Sequence, residues 1–230
     1  MNDIKTRLLI LSAIFALLVS PALAQEALPE LPAEVQAAFD AANGDLGVLA
    51  GIAIRFPQNA AAIAQRYARA NPTKAAEVAA TIAKAVPAQA VSIVSAVVKE
   101  TPTVDAAAVI VASVLAATGN TGSVQLAFQR NISGAAIASL PASVKTPSEL
   151  KTFVTIVTQA TGVSESGIRM GAYDGSGVGI VTINRATADA SRVGAAVTAT
   201  SAVVTVANTT EVVEFVDVEV PTDNLVVSPT

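Results

Sequence analysis

The sequence predicts a mainly α protein. It reads as an array of short, proline-initiated antiparallel helices, a small α-solenoid or bundle, followed by a Val/Thr-rich C-terminal region that is extended or β. Three observations carry this. Prolines stand at 57, 72, 87 and 102, fifteen residues apart each time. Apolar residues recur at helical spacing inside every unit. From Gly175 onward Val, Thr and Gly displace the Ala-rich composition.

The first segment, residues 1–24, reads as a cleaved secretory signal. Lys5 and Arg7 form a positive start, Leu8 to Val19 is an apolar run, and Ala22-Leu-Ala24 supplies small residues before a cut at Ala24–Gln25. That run is short of the ~20 residues a membrane anchor needs. Residues 25–41 make a lead-in helix. The chain has a formal charge of −4, and losing Asp3, Lys5 and Arg7 removes a net +1, leaving −5. Such a balance argues against nucleic acid or an anionic membrane as partner. With no cysteine in an exported chain, the core must hold by packing alone.

Residues 42–162 form the expected helical repeat domain. Proline suits the first turn of a helix, and the residue before it is driven out of helical geometry, so each proline ends one helix and starts the next. Aligned on the prolines, Ala61, Ala76, Val91 and Ala106 stand at plus four. Ile63-Ala64, Val78-Ala79, Ile93-Val94 and Ala108-Val109 follow at plus six and seven, then Tyr67-Ala68, Ile82-Ala83, Val97-Val98 and Ala112-Ser113. These fall on one side of a helical wheel, opposite Asn59, Lys74, Arg66, Glu77 and Thr81. An earlier unit without proline, from about Ala42, fits the same register. Helices this short must stack on neighbours. The last unit departs from the others, since Val104, Ile110, Val111 and Val114 make it apolar nearly all round, and its second face must be covered either by the segment after Gly119 or by another copy of the protein. A helix from Ser123 toward Leu140 with a weak point at Gly134, and one opened by Thr146-Pro-Ser-Glu149 and closed by Gly162, are the expected covers.

Residues 163–192 read as a Gly-rich connection and 193–230 as an acidic, Val/Thr-rich extended or β tail. After Arg192 there is no basic residue, while Glu211, Glu214, Asp217, Glu219 and Asp223 follow. Val216 to Val220 alternate like a half-buried strand.

Chemistry is sparse. Without His or Cys, the commonest general base, thiol nucleophile and zinc ligands are missing. Ser148 and Lys151 match the S-x-x-K spacing, but the companion motifs are absent and Ser148 lies in a helix start. Asp174-Gly-Ser-Gly177-Val-Gly179 lacks the Lys-Ser/Thr of a phosphate loop and the ligands of a calcium loop, so it reads as a turn. Glu77, Glu100 and Asp105 are not grouped by sequence into a carboxylate pair. Arg69, Lys84 and Lys99 recur in the last turns of three helices, where the helix dipole favours a cation. Asn131 and Asn208 head glycosylation sequons.

The expectation is therefore an exported structural or protein-interaction protein of the cell envelope, periplasmic or extracellular. It has no catalytic or metal residue and no cofactor. Its partner is itself or another envelope protein, with no nucleic acid and no membrane span in the mature chain. A binding or chaperone-like module for an apolar peptide or small ligand is the alternative.

Overall fold

A computed structural model describes residues 27–120 and 125–209. They are mainly helical, with no strand among them. In chain order the helices are α1 (Ala33–Ala41), α2 (Leu46–Arg55), α3 (Ala60–Ala70), α4 (Ala75–Ala85), α5 (Ala90–Glu100), α6 (Val104–Ala117), α7 (Leu126–Ser139), α8 (Pro147–Thr161), α9 (Glu165–Ser176), α10 (Ile180–Arg185) and α11 (Ala190–Thr209).

The fifteen-residue period survives as geometry. Phe56, Asn71, Val86 and Thr101 each end a helix with nearly the same backbone, φ between −128° and −136° and ψ between 65° and 71°. After the first three, proline opens a single 3-10 turn (Pro57–Asn59, Pro72–Lys74, Pro87–Gln89) that feeds the next α-helix. The turn is closed by Asn59, Lys74 and Gln89 donating their N–H to the carbonyls of Phe56, Asn71 and Val86, at 2.9 Å each. Proline thus starts a tight turn rather than the α-helix itself. At Pro102 the turn is skipped, because Thr103 caps α6 directly by accepting from the Ala106 N–H at 3.2 Å.

The apolar stripe lies one residue earlier than expected at its start. Ala60, Ala75 and Ala90, three residues after the prolines, are buried; at plus four Ala76 is buried as read, whereas Ala61, Val91 and Ala106 are half-buried. The later positions are buried as read: Ile63, Val78, Ile93 and Ala108, then Tyr67, Ile82, Val97 and Ala112.

Packing follows a two-apart rule. α2, α4, α6 and α8 lie side by side in one layer, and α3, α5, α7 and α9 in the other, with contacts such as α3–α4, α4–α5, α5–α6 and α8–α9 joining the layers. Alanine at the close contacts permits this spacing. At plus eleven Ala68, Ala83 and Val98 are followed by Ser113, fully buried with a hydroxyl that has no partner among the described residues. A buried hydroxyl without a partner costs about 1–3 kcal/mol. Ser113→Ala is therefore expected to stabilise the fold by about 1 kcal/mol in urea unfolding.

The second face of α6 is covered by α11, which packs on α4, α6 and α8 as a third layer. The repeat register shows it: Ser92 and Lys99 of α5 are exposed and Ser95 and Ala96 half-exposed, while their α6 counterparts Ala107, Val114, Ile110 and Val111 are buried. Thr81, expected on the polar side, is buried as well.

This corrects the reading of the C-terminal region, because residues 193–209 are helical rather than extended or β. Strand propensity of Val and Thr is a weak preference that packing overrides. Val193, Ala196, Thr200, Val203 and Ala207 form a 3,4-spaced stripe that is buried or half-buried against the layer below. Thr198, Thr200, Ser201 and Thr205 donate their hydroxyls to carbonyls four residues earlier, at 2.9–3.2 Å, so the helix absorbs them. The expected strand at 216–220 lies outside the described residues.

Candidate functional site

Two places concentrate geometry and charge. The first is the α7–α9 contact. Gly167, Gly171 and Gly175 stand four apart in "SGIRMGAYDG", so all three lie on one face of α9. A Cβ on Gly171 or Gly175 would meet backbone or Cβ atoms of Arg130, Ser133, Gly134, Ile137 and Ala138 of α7, and one on Gly167 would meet the side chains of Leu126 and Gln129. Gly134, expected as a weak point, is a contact residue instead, and α7 runs unbroken through it. Lys145 ties the ends of both helices by donating to the Ala138 carbonyl at 3.1 Å and the Gly175 carbonyl at 3.4 Å. Burial pushes its ammonium below the usual lysine pKa.

Above this contact runs an open groove of about 510 Å³ lined by Leu126, Ala127, Arg130, Asn131, Met170 and Asp174, among others. Arg130 and Asp174 pair across it in a two-pronged contact, Nη2 to Oδ1 being 3.1 Å, and this raises the guanidinium's pKa. Leu126 and Met170, with Tyr173 on the same helix as Met170, are about 40% exposed.

The second place is a junction of three helix N-termini. Thr103 caps α6, Thr146 caps α8 by accepting from the Glu149 N–H at 3.3 Å, and Asp189 caps α11 by accepting from Ser191 and Arg192 N–H at 3.1 and 3.2 Å. Carboxylates of Asp105, Glu149 and Asp189 gather there, as the positive ends of helices favour. The Arg192 guanidinium closes the cluster. It donates Nε and Nη2 to Asp105 at 2.9 and 2.7 Å, and Nη1 and Nη2 to Glu149 at 2.7 Å each. Both pairs are bidentate, the strong form of this contact. Hydrogen bonding to Glu149 and Asp105 raises the Arg192 pKa, and the bond from Arg192 holds Glu149 below the usual carboxylate range. The Glu149 side chain is therefore spent on Arg192 rather than on returning the helix cap.

The residues singled out in the sequence fall elsewhere. Ser148 is exposed, and Lys151 pairs with Glu165 at 3.0 Å, which also receives Arg169 at 3.3 Å. Asp174 to Ser176 end α9, and Gly177 closes it in left-handed geometry, φ 72°. Glu100 is bound by Arg69 and Gln65, and Asp105 by Arg192, so each of these carboxylates is engaged by its own cation. Lys84 donates to Asn208 at 3.3 Å. Asn131 lies on the exposed side of α7 at the groove. The four-residue spacing of glycine was visible in the sequence. Nothing in it linked Arg192 to Asp105, 87 residues away.

The fold and these two places define a two-layer helical array with a third-layer helix fastened across it. No known protein family, curated protein or solved structure matches the chain. Among the described residues no group of three metal-ligating side chains is placed so that it could hold a metal ion. Ala190–Asn208, in α11, is long and apolar enough to cross a membrane by length and composition, with a mean hydropathy of 1.3. In this fold one face of it lies against α4, α6 and α8.

Proposed function

We propose that the chain is an exported, non-enzymatic interaction protein of the cell envelope or exterior that works by helix stacking and self-association. The observation that supports this most is how the charged groups are used. The ion pairs Arg69–Glu100, Arg130–Asp174, Lys151–Glu165 and Arg192–Asp105/Glu149 each join different helices, the first two within a layer and the last two between layers, so that they fasten the array together. Stacked helical arrays present extended surfaces suited to partners. Light scattering of Gln25–Thr230 over a concentration series tests it: multimers are expected, and a monomer at every concentration would overturn self-association.

The groove between α7 and α9 favours a second reading, a binding module for an apolar peptide or small ligand. Its volume falls within the range of small-molecule sites. Exposed methionine adapts readily to apolar partners. An apolar fluorescent probe is expected to bind with an affinity that drops about ten-fold or more in Met170→Lys. Unchanged binding in that variant would remove the groove from consideration.

A further inference from the structure

We infer that α11 is an exchangeable strap: the platform it covers on α4, α6 and α8 accepts the α11 of a second copy of this chain, giving a reciprocal, swapped dimer. This rests on the self-association reading and names its interface.

The α11 contact is shallow. Its stripe contains nothing larger than valine, whereas α8 buries Leu150, Phe153, Val154, Ile156 and Val157 completely. The tether is short, residues 186–189 between α10 and α11, with Ala186 extended at φ −70° and ψ 155°, and one hydrogen bond, from the Asp189 N–H to the Thr152 hydroxyl at 3.1 Å, holds it to α8. Polar recognition sits at the two ends of the helix. Arg192 engages Asp105 and Glu149 at one, and Asn208 accepts from Lys84 at the other. No charged residue lies between them. The platform itself cannot stay bare, because Ile110, Val111 and Val114 would face water. α11 is the helix that already matches both the apolar strip and the two polar ends. A second copy supplies the same helix without any new contact, the low-cost route to a symmetric dimer. At low concentration the tether wins, since it holds α11 near its own platform at an effective concentration on the order of mM. The exchanged form therefore grows as chain concentration rises.

The absence of cysteine gives a clean test. Lys84→Cys and Asn208→Cys, both exposed, place the only two thiols at the strap's C-terminal contact, to be joined by a short bis-maleimide. Denaturing gels should show monomers linked internally at low concentration and covalent dimers that increase with concentration. In a second test, Arg192→Glu is mixed with the double variant Asp105→Lys, Glu149→Lys, with circular dichroism checking that each is folded. Each alone has a mismatched strap, but in the mixture each strap fits the other's platform. The mixture should give a heterodimer in native mass spectrometry at ten-fold or more above either variant alone. Wild-type multimers by light scattering with only internal cross-links would overturn the strap and leave self-association standing. A folded pair that stays monomeric when mixed overturns the strap as well. Monomers at every concentration in light scattering would overturn both.

Discussion

Gly171→Ala is expected to be among the most damaging single methyl additions in this protein. A Cβ there would meet the Arg130 carbonyl oxygen, the Ser133 Cβ and the Gly134 nitrogen, all inside the 3.0 Å that real Cβ atoms essentially never cross. Two of the three are backbone, so no side chain can swing aside and α9 must move off α7. Alanine would be favoured in an isolated helix by about 1 kcal/mol, and here that gain is overwhelmed. Overpacking of this kind costs about 1–3 kcal/mol, and backbone clashes put it at the upper end, giving a net loss of about 2 kcal/mol or more. Gly175→Ala, against the Gly134 carbonyl, the Ala138 nitrogen and the Ile137 Cβ, should behave alike. Gly194→Ala is the control. Among the described residues nothing beyond the helix's own backbone lies within 4 Å of a Cβ at that position in α11, so it should stabilise by about 0.5–1 kcal/mol. Urea unfolding of the three variants decides it. Equal effects at positions 171 and 194 would mean that α7 and α9 do not meet through glycine.

Arg69→Met should cost about 2–3 kcal/mol at neutral pH, a loss that shrinks on acidification. The Glu100 side chain is only 4% exposed, and it is held by Arg69 at 2.6 and 2.8 Å and by Gln65 at 2.6 Å. Burial alone would push the Glu100 pKa up. Hydrogen bonds from Arg69 and Gln65, with the charges of Arg69 and Lys99, outweigh it and bring the pKa below the ordinary value. In the wild type, then, this carboxylate stabilises the fold above its unfolded pKa, and that contribution is lost as pH falls through the lowered folded value. Removing Arg69 leaves burial dominant, the sign of the shift reverses, and the ionised form destabilises. Protonation then relieves the variant. The gap between wild type and Arg69→Met should narrow as pH drops from 7 toward 4, read from melting temperatures across that range. A gap that stays constant would show that Arg69 acts through packing alone. Glu100→Gln in the Arg69→Met background should recover part of the loss at neutral pH.

The helices of the array were legible from the sequence because their causes are local. Proline constrains its own φ and the residue before it, and alanine and valine at helical spacing define a buried stripe within eleven residues. Ile110, Val111 and Val114 even announced that α6 needed a second cover. What supplied the cover was not legible. Val193, Thr198, Thr200 and Thr205 favour strand by propensity, and only the platform offered by α4, α6 and α8, with hydroxyls bonding back along the helix, makes α11 helical. Arg192 and Asp105 show no mark of pairing in the sequence, since an ion pair across 87 residues depends on where three helix ends converge. The glycines of α9 resemble those of a flexible connection until α7 is laid against them. Local stereochemistry set the repeating turn and the helix it opens. Which helices touch, and which charges meet, was decided by the stacking of the layers, because those contacts join residues that the chain itself keeps far apart.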